Sequence, residues 1–197
     1  MNKILNILAI LLLTLTPLTA WGVNLSEEEF VTKFANEAIT ILGSEQISKD
    51  EKNNKFTNLV MSAIDLNLIS QFVLSKSWKS ATDDQKERYI SAFKKYFINS
   101  YANKLDQYSG EKIIVNGSEE AGKYVIVDTN IVREGTDTLK INLKWRLLNK
   151  NDDIKIIDLN IEGISLVIAQ REEFQSFLAN NDGDLEALID KIVSVSD

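Results

Sequence analysis

The sequence predicts an α+β domain in which helices lie on one face of a curved, four-stranded antiparallel sheet. Three observations predict it. Ser/Thr-x-x-Glu/Gln capping boxes at Ser26, Ser48 and Thr82 stand ahead of apolar residues with helical spacing. From Lys112 the apolar period changes to two and holds through Ile161. Glycines and an Asn/Asp-rich stretch divide that region into runs of strand length.

The elements follow in chain order. Ser26-Glu-Glu-Glu29 opens a helix whose Phe30, Phe34, Ala38, Ile41 and Leu42 share a face, and Gly43 ends it. Ser48-Lys-Asp-Glu51 opens a second, with Phe56, Leu59, Val60, Ala63 and Ile64 as its apolar side. A short helix over Leu66–Leu74 leads to Trp78. Thr82-Asp-Asp-Gln85 opens the longest helix, Asp83 to Tyr108, about 40 Å at 1.5 Å per residue. Along it Tyr89, Phe93, Phe97, Tyr101, Leu105 and Tyr108 step by three or four, an aromatic stripe expected to pack on the sheet.

Four strands are expected over Ile113–Val115, Tyr124–Val132, Leu139–Leu148 and Ile154–Ile161, with Gly117, Gly122 and Gly135 in turns and Asn149–Asp153 as the last hairpin loop. The third is the most regular. Leu139, Ile141, Leu143, Trp145 and Leu147 alternate with Lys140, Asn142, Lys144 and Arg146, one dry face and one wet. Ser165 caps a helix reaching Leu178. Asp184 caps a last one through Leu185, Leu188, Ile189 and Ile192.

Composition narrows the function. Lys3, an apolar run from Ile4 to Leu15, Pro17 and small residues at Thr19, Ala20 and Gly22 have the layout of a secretory signal peptide over residues 1–22. The run is shorter than the roughly 20 apolar residues of a membrane span. Cleavage is expected after Ala20 or Gly22, with an uncleaved anchor as the alternative. No Cys follows, which argues against a lipoprotein anchor. What remains, 23–197, is expected to be one exported domain of about 175 residues with its own core.

The chain has no Cys and no His. Packing, not disulfides, must hold it, and the usual metal ligands, thiol nucleophile and neutral-pH base are missing. No metal site, no cofactor and no catalytic residue is expected. A formal charge of -7 with scattered Lys and Arg speaks against nucleic acid and against clinging to anionic bilayers. No phosphate-binding glycine loop or catalytic-serine elbow occurs.

One segment is more specific. Asp158-Leu-Asn-Ile-Glu162-Gly163-Ile164-Ser165-Leu166-Val167, with Arg171 and Phe174 beyond it, ends a strand, turns on glycine and opens a helix. It resembles the D-x-x-x-E-G-[IV]-S-L-V segment of the MlaC family. Members are periplasmic phospholipid-binding proteins of the Mla (maintenance of lipid asymmetry) transport system, also called toluene-tolerance proteins. The resemblance covers Glu27 to about Val193. Ala81-Thr82-x-x-Gln85-x-x-x-Tyr89-x-x-x-Phe93 is similar to the family's aromatic helix, and Leu74-x-x-x-Trp78 to its Leu-Gly-x-x-Trp element. Ser75 stands where Gly is usual, Gln170 where an aromatic is common, and Trp145 where Tyr is frequent.

The resemblance implies an NTF2-like or cystatin-like layer of helices over a sheet, with an apolar cavity between them for acyl chains. Phospholipid is then cargo, not cofactor. The implied partners are an inner-membrane ABC transporter complex and an outer-membrane lipoprotein–porin complex, reached from the periplasm without stable membrane insertion. The chain is expected to be a monomer. Candidate tail contacts are Phe93, Phe97, Tyr101 and Leu105 on the long helix, Ile141, Leu143 and Trp145 on the dry strand face, and Leu166 and Val167 at the mouth. Plain core packing explains each of them equally well.

Gly163 and Ser165 read as turn and cap, Asp158 as a turn clamp, and Glu162 as an exposed acid; Arg171 is expected to pair with one of these two acids, with facing a phosphate as the alternative. Three other readings stay open. The cargo could be a hopanoid or another apolar lipid. The protein could be a pocketless periplasmic adaptor. It could also be an isomerase-like enzyme using Asp158 or Asp128 beside Tyr101 or Tyr124, although their spacing gives no support.

Overall fold

The computed structural model describes residues 25–102, 111–133 and 140–195. The expected signal segment, the side chains of Tyr101, Leu105 and Tyr108, Gly135 and Leu139 lie outside these. Seven helices are described: α1 Glu27–Gly43, α2 Lys49–Ala63, α3 Leu66–Leu74, α4 Lys76–Ser80, α5 Asp83–Ala102, α6 Leu166–Asn180 and α7 Leu185–Ser194. The strands are β1 Glu111–Ala121, β2 Tyr124–Arg133, β3 Lys140–Lys150, β4 Asp153–Ile161 and β5 Ile164–Ser165.

The helix starts form where the capping residues place them. Glu29 N–H donates to Ser26 Oγ at 3.2 Å while Ser26 N–H donates to the Glu29 carboxylate at 2.8 Å. The same exchange joins Thr82 and Gln85, at 3.2 and 3.0 Å. Ser48 accepts from Glu51 N–H at 3.2 Å, and Asp65 caps α3 through Leu68 N–H at 2.9 Å. Each such cap contributes about 1 kcal/mol by satisfying donors that the first helical turn leaves without partners.

The strands form an antiparallel meander in the order β1-β2-β3-β4-β5. Register sets the inner face. Val125, Val127, Thr129 and Ile131 of β2 stand opposite Leu147, Trp145, Leu143 and Ile141 of β3. On β4, Leu159 opposes Trp145 and Ile156 opposes Leu147, with a register shift between Arg146 and Leu147. The helices cover this face. Beside the β4 edge, Ile64 bridges Ile156 and Asp65 N–H donates to the Ile156 carbonyl at 3.1 Å, occupying backbone groups an open edge would expose.

Several expectations are corrected. A fifth, two-residue strand follows the Glu162-Gly163 turn, because positive φ at both residues (51° and 87°) makes the tight turn that pairs Ile161 with Ile164. β1 runs well past Val115. Gly117 is not in a turn but at the register shift of β1, with φ 140°, a conformation glycine holds without strain. Trp78 sits in a short helix of its own, α4. Between α3 and α4, Ser75 takes φ 58° and ψ -125°, where a residue without Cβ would be relaxed.

The aromatic stripe of α5 divides. Tyr89 and Phe93 are buried among helices: the Tyr89 hydroxyl donates to the Ser70 carbonyl of α3 at 3.1 Å, and Phe93 meets Phe174 of α6 edge-on at 6.2 Å. Among the described stripe residues, Phe97 is the one that reaches the space above the sheet. The periodicity holds, but the partner is helical, because α5 packs chiefly on α7, α2 and α3.

Candidate functional site: an apolar pocket above the sheet

Where α1, α2, α5 and the start of α6 meet the inner face of the sheet they leave a pocket of about 130 Å³. Its wall includes Phe34 from α1, Phe56 and Val60 from α2, Phe97 from α5, Trp145 from β3 and Leu166 from α6. Thr57 is the only lining residue with a polar side chain other than the Trp145 indole. Helical spacing explains the convergence. Phe56 and Val60 lie one turn apart on the buried stripe of α2, while β-alternation turns Trp145 inward and Lys144 and Arg146 outward.

Trp145 is held in place. Its ring meets Phe34 edge-on, centroids 5.7 Å apart. Its Nε1–H donates to Thr129 Oγ1 at 2.9 Å, and the Thr129 hydroxyl donates to the Leu143 carbonyl at 2.8 Å. Trp145 and Thr129 are both buried. The relay therefore satisfies the one indole donor that would otherwise put an unpaired polar group beside an apolar wall.

Of the residues expected from the sequence, Phe97, Trp145 and Leu166 line this pocket. Phe93 stands behind Phe97 in the helical core. Leu143 is buried beside Thr129, and Ile141 is half-buried opposite Ile131; neither lines the pocket. Val167 faces a separate trough on the opposite side of the sheet. The Tyr101 side chain and Leu105 lie outside the described residues. The expectation missed Phe34, Phe56, Thr57, Val60, Ile64, Ile98, Ile156 and Leu159. The apolar stripes of α1 and α2 are visible in the sequence, but nothing in the chain says which helices roof the sheet.

The Asp158–Val167 segment secures the pocket's α6 side. The buried Asp158 carboxylate accepts from Ser165 Oγ at 2.6 Å and from Val167 N–H at 3.2 Å, while Ser165 Oγ accepts from Ile168 N–H at 3.1 Å. The Glu162 carboxylate takes the Asn142 N–H, and Glu162 N–H donates back to the Asn142 carbonyl at 3.1 Å. Strand, turn and helix start are thus tied together at the point where Leu166 enters the pocket wall.

The expected pairing of Arg171 is corrected. Arg171 lies over the Phe72 ring at 4.8 Å, because it sits on the flank of α6 that packs on α3. Arg146, from the outer face, is the cation beside Asp158, at 3.8 Å.

Asp128 does not have the environment of a protonated catalytic acid. Asn116 donates to it at 2.7 Å and Asn142 at 3.0 Å, with Lys144 at 3.7 Å. The Asn116 bond foremost holds its carboxyl below the usual carboxylate range. An isomerase acid of the expected kind needs the opposite shift.

Comparison with known proteins places the chain. The family model described as MlaC protein matches residues 32–194. The chain belongs to the MlaC family. It is 26% identical over 113 residues to the intermembrane phospholipid transport system binding protein MlaC of Haemophilus influenzae, covering 56% of this chain and 53% of that protein. It is 24% identical over 129 residues to the toluene tolerance protein ttg2D of Pseudomonas putida, covering 64% and 59%. The matches therefore span between half and three-fifths of these curated relatives. The fold is that of a phospholipid-binding protein from Ralstonia solanacearum solved in complex with a phospholipid. The TM-score is 0.76, with 17% identity and coverage of 87% of this chain and 97% of that one. As expected for an MlaC-family chain, the architecture is α+β, with helices on an antiparallel sheet.

Proposed function

We propose that this protein is an exported phospholipid carrier that shelters acyl chains between its helical layer and the inner face of its sheet. The observation that carries the proposal is the pocket wall: Phe34, Phe56, Val60, Phe97, Trp145 and Leu166 converge with no charged group among the lining residues. The names of the relatives, and the phospholipid held by the Ralstonia protein, support the same reading. Residues 1–22 direct export to the periplasm, and 23–197 form the carrier. The carrier works as a monomer between an inner-membrane ABC transporter complex and an outer-membrane lipoprotein–porin complex.

The energetics suit a shuttle. Hiding roughly 30 methylenes from water is worth on the order of 24 kcal/mol at about 0.8 each. Moving them from a bilayer to this pocket gains almost none of that, since both places are dry. Exchange can then run near balance, with direction supplied by the partners. A pocket of about 130 Å³ is near the roughly 150 Å³ of a cavity that takes up benzene. Two acyl chains therefore require α1, α2 and α5 to part from the sheet, repacking Phe34, Phe56 and Phe97.

The test is mass spectrometry of an organic extract from protein purified without detergent. Stoichiometric phospholipid is expected, and Thr57→Trp, which fills the pocket from α2, should lower it severalfold while cooperative melting persists. A hopanoid or sterol-like molecule would keep the carrier and change its cargo. Protein that is empty and also refuses lipid from vesicles would overturn the proposal in favour of an adaptor.

A further inference from the structure

On the outer side of the sheet, facing away from the pocket, a trough of about 210 Å³ runs between α3, the start of α6 and strands β2 to β4. Two features set it apart from the rest of the surface. Its walls leave two large apolar side chains in water, Phe72 and Ile168, each 44% exposed, while the buried Leu148 forms part of the floor. Single exposed apolar residues are ordinary, whereas two lining one concavity, over a buried apolar floor, suit an interaction site.

The second feature is charge. Lys123, Arg146 and Lys150 line the trough against one carboxylate, Asp158, which is 5% exposed and already accepts from Ser165 and Val167. Arg171, stacked on Phe72, adds a fourth cation at the rim. In a chain with a net charge of -7, this is a local reversal of sign. The shape is concave, so side chains can enter it, whereas a flat bilayer surface would touch only its rim.

We infer that this trough docks an acidic segment of a partner protein that carries apolar side chains on one face. The apolar side chains fill the space between Phe72, Leu148 and Ile168, and the carboxylates pair with Lys123, Arg146 and Lys150. Apolar anchors in a trough give such an interface its affinity, and the cationic rim gives selectivity and encounter rate. The site lies on the opposite side of the sheet from the lipid pocket, so a carrier can engage a partner here while its cargo stays covered.

The test is titration of the ¹⁵N-labelled protein with a synthetic helical peptide of Leu and Glu, with a twin in which Lys replaces Glu, and with phosphatidylglycerol vesicles. The acidic peptide should shift the amide signals of residues 68–72, 123–124, 146–150 and 167–168. Lys123→Glu combined with Lys150→Glu should weaken it about tenfold. Phe72→Ser, which removes an exposed apolar anchor and leaves the charges, should weaken it as well. Lipid extracted from both variants should match the wild type, which separates failure here from failure of the carrier reading. Absence of shifts at the trough, or equal binding of the Lys twin, would overturn the inference. So would vesicle binding that the same variants abolish, because the face would then belong to a membrane.

Discussion

On the inner face of the sheet Val127, Leu143, Trp145, Leu147 and Ile156 are almost wholly removed from water. One residue along the same strands, Asn142 and Lys144 gather on Asp128 on the solvent side, with Arg146 beside Asp158. Both faces contain hydrogen-bonded polar groups, yet these do different work. Inside, the polar pair is Thr129 and Trp145, closed upon itself so that the wall beside the pocket stays apolar. Outside, Asp128 gathers Asn116, Asn142 and Lys144, each of which water could replace. The lesson is that the cost of losing a polar contact depends on what can substitute for it.

The largest effects belong to the inner side. Trp145→Ala removes a buried ring and the partner of Phe34, and should cost about 3–5 kcal/mol in urea denaturation. A loss no larger than that of a surface substitution would mean that the inner face is not a packed wall. Thr129→Val keeps the volume but leaves the indole N–H without its acceptor, for an expected loss of about 1–3 kcal/mol. If it proves neutral, the relay does not hold Trp145.

On the outer side the effects should be small. Asp128→Asn retains the shape and part of the hydrogen bonding, and should stay within about 0.5 kcal/mol. A loss as large as that of Thr129→Val would erase the distinction between the faces.

The same solvent-side rule holds in the helical layer. There Arg88 of α5 grips Glu186 of α7 at 2.6 and 2.7 Å, and Gln85 donates at 3.0 Å. The Arg88 hydrogen bonds foremost pull the Glu186 pKa down from 4.5 to about 2. A depressed carboxylate stabilises the fold fully above its unfolded pKa, and that contribution fades as pH falls from about 4.5 toward about 2. Because the pair is exposed, the effect should be slight and screened by salt. Acid titration of the melting temperature should show a shallower slope in this window for Glu186→Gln.

Local patterns settle most of the architecture. Ser26, Ser48, Thr82, Ser165 and Asp184 start helices through bonds within three residues, so neighbours in sequence suffice to identify them. The alternation from Ile141 to Leu147 assigns inner and outer faces because a strand has period two whatever it packs against. Asp158, Glu162, Gly163 and Ser165 likewise form a turn whose contacts are mostly close in sequence, which is why the motif is legible from the order of its residues.

What no local pattern contains is which apolar stripe faces which. The stripe of α5 reads as one surface, yet Phe93 packs on Phe174 and Phe97 looks into the pocket, because α6, many residues later in the chain, covers only part of that stripe. Arg146 takes the place expected of Arg171 for the same reason: the cation beside Asp158 comes from an adjacent strand, through register and not proximity in sequence. A filled core and a pocket also need the same pattern of apolar residues. Residue order alone therefore specifies which side chains leave water. The meeting of α1, α2, α5 and the sheet decides where they leave space, because packing depends on distances between elements that spacing along the chain does not encode.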